Sequence, residues 1–364
     1  MQATKTGIIL LNFGEPEHAT LNEVVPFLEK IFSLNSPLMG GATVEEVRER
    51  SRKMAEVRAP GLIEEYEAIG GSPLHAQARE QAEGLERELK RRGHDAVVRL
   101  GMQFTEPTIM EAVETMRAEG VEVLVGLPAY PLAGPSTTVA ALEAMDAAVK
   151  ALQWDVSVRE VSGWHLHPAY LALRAESIRA TAEKGGVSLD EPGTRLVFSA
   201  HGTPVKYLQA GNGYEMYVRD YCDRVAALLG VRDYELGYQN HTNRPGLQWT
   251  QPDIEQVIAT TTAERVVVDA CSFMHEQSET LAELDHGLRG EAEGRGLEFH
   301  RVPVPYAAPR FISVLADLVE PFTRPGGGPV VGEAPVEVAG VAMRPCLCKR
   351  SPRAFCMNPV LHEG

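Results

Sequence analysis

The sequence predicts an α/β fold of two similar Rossmann-like lobes. Each lobe has a four-stranded parallel sheet flanked by helices, and the active-site cleft lies between the lobes. Three observations predict this fold. Eight short apolar runs indicate buried strands, segments with helical periodicity separate them, and the runs fall four and four about a midpoint near residue 155. In open sheets of this kind ligands bind beyond the carboxyl ends of the strands, so functional residues are expected there.

The apolar runs are mostly continuous rather than alternating, which is typical of parallel strands covered on both faces. They are rich in valine, isoleucine, leucine and aromatic residues. The predicted strands are 7–13, 97–104, 121–130, 156–161, 195–200, 234–239, 265–273 and 297–304.

Helical periodicity fills the segments between the runs. The stretch 64–93 combines this period with a basic last turn and a terminal glycine, which are signals of a helix end. The stretches 107–120 and 137–152 show the same period. Strands that alternate with helices in this way favour parallel sheets.

The chain is expected to divide into three parts. Residues 1–154 form the N-terminal lobe, and residues 155–322 form a C-terminal lobe that carries the catalytic candidates described below. Residues 323–364 are rich in glycine and proline, contain three cysteines and indicate a linker with a short C-terminal extension. The two lobes share only an order of elements, since no sequence repeat is visible.

Composition excludes several classes of protein. A net charge of −15 argues against nucleic acid as a partner, because phosphate binding needs clustered lysine and arginine. No apolar run reaches the roughly 18 residues of a membrane-spanning helix. The apolar N-terminus runs into Gly14 and Pro16 and indicates a first strand rather than a signal peptide. We therefore expect no transmembrane segment and a cytoplasmic location.

His201 ends an apolar run and is followed at once by Gly202 and, two residues later, Pro204. A histidine on such a stiff turn faces a cleft, where a neutral imidazole can take a proton or bind a divalent metal. The alternative is that it only hydrogen-bonds a loop carbonyl.

Glu276, Glu279 and Glu283 are spaced by three and four residues after the seventh run, which predicts one acidic face of a helix. The alternative is the ordinary preference for glutamate near a helix start. A histidine and a carboxylate at two strand ends of one cleft suit acid–base chemistry or the handling of a divalent metal. No nucleotide-binding or acyl-transfer motif is present.

Six segments, in order, resemble the ferrochelatases, the enzymes that insert Fe(II) into a porphyrin. The resemblance runs from about residue 6 to residue 320. The segments are LLNFGEP, YEAIGGSPL, PAYPLAGPSTT, FSAHGTPVKYLQAGNGY, YQNHTNRPGLQWTQPD and CSFMHEQSETLAEL.

The resemblance implies roles for the candidate residues. It implies that His201 and Glu279 are catalytic and meet the metal, the imidazole as a neutral base and the carboxylate as an ion, and that Glu283 continues an acidic path for iron. It also implies a porphyrin-binding set: Phe13, Ser72, Tyr130 and Trp249. Phe13 is expected to be a wall for the flat ring, since it lacks the oxygen of the tyrosine that some bacterial members carry. Gln277 is expected to be non-catalytic, and His275 structural or outward-facing.

The cysteines allow more than one interpretation. In a reducing compartment an odd number, five, makes disulfides unexpected. The resemblance implies a candidate [2Fe–2S] cluster on Cys346, Cys348 and Cys356, because some ferrochelatases hold one on C-terminal cysteines. A fourth ligand would then be Cys222, Cys271 or a residue other than cysteine. Three free cysteines and a zinc site are the alternatives.

The porphyrin itself is expected to be coproporphyrin III rather than protoporphyrin IX. The chain is acidic, the apolar patch at 31–39 is brief, and YEAIGGSPL resembles members that use coproporphyrin. The alternatives are a protoporphyrin IX ferrochelatase and a non-catalytic haem- or porphyrin-binding protein. A cobalt chelatase is disfavoured by Glu279, where those relatives often carry a second histidine. The resemblance also implies a downstream haem-pathway enzyme as a partner.

Overall fold

A computed structural model describes residues 5–34, 43–240, 247–324, 336–349 and 351–358. The other residues, which include parts of the predicted patch 31–39, the segment YQNHTNRPGLQWTQPD and the C-terminal extension, lie outside the described residues. All eight predicted strands are confirmed, with ends that differ by a few residues. They are β1 (Thr6–Asn12), β2 (Ala96–Met102), β3 (Val123–Pro128), β4 (Ser157–Val161), β5 (Thr194–His201), β6 (Tyr234–Gln239), β7 (Arg265–Ala270) and β8 (Glu298–Val302).

The two lobes have the same sheet topology. The N-terminal sheet contains the parallel order β2-β1-β3-β4, and the C-terminal sheet has the parallel order β6-β5-β7-β8. In each lobe the first strand therefore lies between the second and the third. The central strands are buried along most of their length, as their continuous apolar sequences predict.

The C-terminal extension changes the first sheet. Three short strands, β9 (Val336–Val338), β10 (Val341–Pro345) and β11 (Ala354–Cys356), add to it in the order β4-β11-β10-β9. The expectation of four strands in this sheet is therefore wrong for the described residues, which form seven. Strand β11 pairs in parallel with β4 and covers the backbone groups that an edge strand would leave unpaired.

Twelve α-helices connect the strands within the described residues. They are α1 (Leu21–Leu34), α2 (Val44–Ala68), α3 (Leu74–Arg91), α4 (Ile109–Ala118), α5 (Ala140–Ala151), α6 (Pro168–Gly185), α7 (Val205–Gln209), α8 (Tyr214–Leu229), α9 (Ile254–Thr260), α10 (Ser278–Thr280), α11 (Arg289–Gly294) and α12 (Pro309–Val319). Two π-helical turns, Pro135–Val139 and Leu281–Leu288, extend the helices next to them, and a 3-10 turn, Glu320–Thr323, follows α12. Every helix in the described ranges is too short or too polar to cross a membrane.

The predicted helical stretch 64–93 is two helices rather than one. Helix α2 ends at Ala68, and Gly70 and Gly71 follow with φ angles of 74° and 92°. This left-handed backbone favours glycine and stops the helix. The break turns the chain so that α3 starts beside the carboxyl end of β1.

The two lobes pack against each other. Helix α12 follows the last strand of the C-terminal lobe and contacts α3 of the N-terminal lobe. Arg92, at the end of α3, donates hydrogen bonds to Asp317 at 2.6 Å, to Glu320 at 2.7 Å and to Ser313 at 2.7 Å. One apolar core includes strand residues of both lobes, such as Leu10 and Phe198. The division at residues 154 and 322 stays a prediction.

Candidate active site

The carboxyl ends of both sheets face one cavity of about 670 Å³. This volume lies within the range of small-molecule sites in proteins. Phe13 and Tyr130 reach the cavity from the ends of β1 and β3, and His201 reaches it from the end of β5. Glu279, on α10, lies beside His201. The predicted cleft between the lobes is thus present.

One wall of the cavity is apolar and comes from helices α1 and α2. Phe13 continues this wall, with its ring centroid 4.5 Å from that of Phe104 and 6.1 Å from that of Phe27. A broad apolar wall suits the face of a large flat ring. The wall residues from the two helices are Phe27, Leu28, Ile31, Phe32, Leu34, Met54, Val57 and Leu62.

His201 is held in a fixed orientation. Its backbone N–H donates to the Ser272 hydroxyl at 3.0 Å, and its Nδ1 lies 2.6 Å from the carbonyl oxygen of Gly202. We assign the Nδ1 proton from this contact. Nε2 then faces the Glu279 carboxylate at 3.0 Å, and the side chain is 38% exposed toward the cavity. The His201 imidazole thus both contacts the loop carbonyl and faces the cleft.

Glu279 is the partner of His201. Its Oε1 accepts from Asn240, and its Oε2 accepts from Gln277 Nε2 at 2.6 Å. Burial alone would raise the pKa of the Glu279 carboxyl, but these donors and His201 lower it. Burial likewise disfavours the imidazolium, but Glu279 outweighs it and raises the pKa of His201 to about 9. The pair is therefore charged at neutral pH, whereas the resemblance implies a neutral imidazole.

Glu283 lies one turn beyond Glu279 on the π-helical segment Leu281–Leu288. Its Oε2 accepts from Gln239 Nε2 at 3.0 Å, and it lines the cavity. Burial and the nearby Glu279 charge raise the pKa of Glu283 to about 8. This carboxyl group is therefore protonated at neutral pH.

Glu276 does not share a helical face with these two carboxylates, so that prediction is wrong. The strand ends at Ala270 rather than at 273, and α10 begins only at Ser278. Glu276 lies in the connecting loop, and its carboxylate accepts from Arg301 at 3.0 Å. A short loop replaces the expected helical turn, so the spacing of three residues places Glu276 away from the cavity.

Glu15 is a cavity residue that the sequence analysis did not identify. It follows Gly14 at the end of β1 and accepts hydrogen bonds from the hydroxyls of Ser72 and Ser278. The Ser278 N–H also donates to it at 3.3 Å. Burial raises the pKa of Glu15 to about 7. The sequence feature that could have identified Glu15 is a carboxylate directly after Gly14, just beyond the end of β1.

The predicted porphyrin-binding residues lie in two layers. Phe13, Tyr130 and Trp249 line the cavity, and the Tyr130 hydroxyl accepts from the Phe13 N–H at 2.6 Å. Ser72 lies behind this layer, where it contacts Glu15.

The residues around Glu279 differ in role. His275 is buried, with Nε2 3.2 Å from the Gln81 side-chain oxygen, so it is structural rather than outward-facing. Gln277, expected to be non-catalytic, contacts Glu279 and orients it.

The three C-terminal cysteines lie together at the junction of β10 and β11 with β4. Cys346 is within hydrogen-bonding reach of both Cys348 and Cys356. The five cysteines of the chain are all free of disulfides. In the part of the chain that the structure describes, no three histidine, cysteine, aspartate or glutamate side chains are arranged to hold a single metal ion.

Comparison with known proteins decides the family. The family model described as ferrochelatase matches residues 5–322. The chain belongs to the ferrochelatase family. The ferrochelatase of Aquifex aeolicus is 33% identical over 87% of this chain and 99% of its own length. That of Synechococcus sp. strain JA-3-3Ab is 33% identical over 87% of this chain and 94% of its own length. This ferrochelatase is thus a lyase whose substrates are ferrous iron and a porphyrin.

Solved structures show weaker similarity. SirB from Bacillus subtilis with Fe3+ is 12% identical and covers 67% of this chain and 88% of its own, with a TM-score of 0.48. CbiX, described as the terminal enzyme of sirohaem biosynthesis in denitrifying bacteria, is 15% identical, with a TM-score of 0.45. It covers 87% of this chain and 98% of its own.

Proposed function

We propose that His201 and Glu279 remove the pyrrole protons and receive the iron in this ferrochelatase. The observation that carries the proposal is the 3.0 Å contact between His201 Nε2 and Glu279 Oε1 at the side of a large, partly apolar cavity. Iron insertion releases two protons from the ring nitrogens. His201 first gives its Nε2 proton to Glu279, which passes it outward through Glu283. The freed imidazole then accepts one pyrrole proton, and the Glu279 carboxylate accepts the other.

Glu283 is proposed as the next group on the proton and iron path. It is buried beside Glu279, and its carboxyl group also feels the charge of Glu65 on α2 at the cavity margin. Protons taken at the ring can therefore leave through Glu279 and Glu283 toward Glu65. Iron can follow the same carboxylates inward, because oxygen and imidazole ligands together suit ferrous iron.

The ring is proposed to be held between the apolar wall and the polar side of the cavity. Phe13, Tyr130 and Trp249 contact its faces and edges, and Ser72 supports Glu15 from behind. A wall that binds a distorted ring favours the reaction, because bending exposes the nitrogen lone pairs.

Coproporphyrin III is proposed as the preferred substrate over protoporphyrin IX. Two cations, Lys53 and Arg58 of α2, line the cavity beside the apolar wall, and the hydroxyls of Ser136, Thr137 and Thr203 line its other side. Four carboxylates on the ring need such donors around the cavity, whereas protoporphyrin IX offers two. Protoporphyrin IX is the alternative substrate.

The decisive experiment is anaerobic turnover. Purified protein is mixed with Fe(II) and either porphyrin, and the porphyrin absorption bands are followed as the metalated ring forms. We expect faster turnover with coproporphyrin III and, in His201→Ala, a loss of insertion of at least a hundredfold with porphyrin binding retained. Near-normal turnover by His201→Ala would refute the catalytic assignment. Faster turnover of protoporphyrin IX would refute only the substrate preference.

A [2Fe–2S] cluster on Cys346, Cys348 and Cys356 is proposed as a resident group. The support is that the three thiols lie together in the described extension, although they are eight and two residues apart in sequence. A binuclear cluster distributes its ligands over two irons, so its ligands need not converge on one ion. When bound, such a cluster supplies a redox-active centre.

Two further expectations remain proposals. We propose a cytoplasmic location, supported by five cysteines that are free of disulfides. We also propose that a downstream haem-pathway enzyme receives the metalated ring. Fractionation and co-purification in the presence of product test these two points.

A further inference from the structure

Polar groups that follow β4, from α8 and from the extension itself contact the three C-terminal thiols. The Ser162 hydroxyl donates to Cys346 Sγ at 2.9 Å, and the Tyr217 hydroxyl lies 2.9 Å from Cys348 Sγ. Asn358 Nδ2 is 3.4 Å from Cys348 Sγ. The thiols therefore lie in a buried pocket that combines these polar groups with apolar neighbours such as Ala354.

His165 lies in the same pocket, just after β4. Its side chain is fully buried, and its Nε2 faces the Asp220 carboxylate at 3.1 Å. Because Nε2 points at a carboxylate, it carries the ring proton, and Nδ1 carries a free lone pair. Nδ1 is buried, makes no well-formed hydrogen bond and faces the Asn358 side chain. A buried acceptor without a well-formed hydrogen bond destabilises the folded state.

Two residues connect His165 to the thiols. The His165 ring lies 5.7 Å from the ring of Tyr217, whose hydroxyl contacts Cys348. The side chain of Asn358 lies next to the His165 ring and also contacts Cys348. The Asn358 Oδ1 atom is likewise buried without a partner. His165 and Asn358 thus lie beside each other, and Asn358 reaches Cys348.

The two other cysteines do not supply that ligand. Cys222 interacts with Cys271, and both lie near Asp269 in the C-terminal lobe. The contacts of Cys348 are instead with Cys346, Tyr217 and Asn358. The fourth ligand left open by the sequence is therefore a residue other than cysteine.

We propose that His165 is this fourth ligand and that it binds through Nδ1. The inference rests on the proposed cluster. A histidine that ligates a metal usually donates its other ring N–H to a carboxylate, and Asp220 already provides that partner. Ligation requires the Asn358 side chain to move aside, which releases its own unsatisfied oxygen toward the pocket.

The test uses the full chain, purified without oxygen. Iron, sulfide and zinc are quantified, the protein is reduced with dithionite, and the nitrogen couplings of its paramagnetic centre are measured by pulsed electron paramagnetic resonance. We expect the strong coupling of one directly bound imidazole nitrogen. In His165→Cys this coupling disappears while the cluster remains, and its midpoint potential falls, because replacing cysteine by histidine raises cluster potentials.

His167→Cys is the matched control. His167 is also fully buried, lies two residues away and faces Asp317 at 3.3 Å. We expect this variant to keep the nitrogen coupling and the wild-type potential. A wild-type cluster without a bound nitrogen would overturn the His165 assignment and leave the cluster intact.

The other outcomes also separate the two proposals. Zinc at one ion per chain, lost in His165→Ala, would overturn the cluster while keeping His165 and the three cysteines as ligands. A wild-type chain that holds neither metal after anaerobic reconstitution with iron and sulfide would overturn both.

Discussion

The charges of His201 and Glu279 depend on each other, because their side chains meet at 3.0 Å in a buried site. The carboxylate stabilises the imidazolium, which is why the pKa of His201 rises to about 9. A base acts only when it is deprotonated. The activity that depends on His201 should therefore rise as the pH approaches this pKa and decrease as the pH falls below it.

Glu279→Gln should move that dependence to lower pH. Without the carboxylate, the pKa of His201 should fall, because the main group that opposes the effect of burial is removed. We also expect kcat to fall by about 10²–10⁴-fold, as for loss of a general base. The pH profile of kcat/KM for coproporphyrin measures the shift, and kcat at saturating substrate measures the loss. An exposed glutamate of the same lobe, Glu293, gives the control Glu293→Gln. If the acid limb of the pH profile did not shift in Glu279→Gln, the proposed pairing of Glu279 with His201 would be contradicted.

Glu15→Gln should stabilise the protein at high pH. The raised pKa means that the folded state holds the Glu15 proton more tightly than the unfolded state, so stability falls as pH rises from about 4.5 to 7. At 1.36 kcal/mol per unit, the cost at pH 8 is about 3 kcal/mol. Glutamine keeps hydrogen bonds to Ser72 and Ser278 without ionising.

Urea unfolding at pH 5 and pH 8 measures the Glu15 effect. We expect Glu15→Gln to exceed wild type by about 3 kcal/mol at pH 8 and to match it within about 1 kcal/mol at pH 5. Equal differences at both pH values would show that the carboxyl group titrates normally. Glu293→Gln again serves as the control and should show no gain at pH 8.

At the scale of elements, the hydrophobic pattern and the glycine and proline residues that follow the apolar runs were enough to predict the strands and the position of His201 at a strand end. Continuous apolar runs marked all eight strands of the two parallel sheets, and strand ends marked Phe13, Tyr130 and His201. The loop before α10 was not predictable, since the strand-like residues 271–273 continue the apolar run beyond the last pairing at Ala270. Apolar character predicts burial, and burial continues into that loop.

Local sequence patterns also could not predict contacts between residues that are far apart in the sequence. Glu15 meets Ser278 across 263 residues, so nothing near Glu15 reveals its partner. Strands β9 and β11 have three residues each, too few to show a period. Their place beside β4 depends on an edge that only the folded sheet presents.

The C-terminal extension depends on a buried ion pair. Lys349 contacts Glu160 of β4 and donates to Asp146 of α5 at 2.7 Å, and its side chain is only 3% exposed. Lys349→Met should weaken the docking of the extension by about 3–5 kcal/mol, because it leaves a buried carboxylate without its partner.

Limited proteolysis followed by mass spectrometry measures this loss of docking. We expect trypsin to cut Lys349→Met after Arg353, at the start of β11, faster than wild type. Lys150→Met, a nearby change at the end of α5, should be cut at the wild-type rate. Equal cleavage of all three proteins would mean that the strand pairing of β11 with β4 alone holds the extension.

At the scale of the whole molecule, the cavity wall comes largely from one lobe and the catalytic pair from the other, while α12 packs the two lobes together. A ring bound between the lobes therefore contacts both. Binding to the folded state alone stabilises it by about 2.7 kcal/mol at a ligand concentration of 100 times Kd.

Coproporphyrin should therefore raise the melting temperature of wild type and of His201→Ala alike. A gain of this size corresponds to roughly 3–4 °C in a chain of 364 residues. Met54→Glu places a charge on the apolar wall and should remove most of the shift, since an unpaired charge against the ring is costly. Thermal unfolding with and without porphyrin measures all three proteins. A folded His201→Ala that shows no shift would mean that His201 binds the ring, and its effect on turnover would then reflect lost binding rather than lost proton transfer.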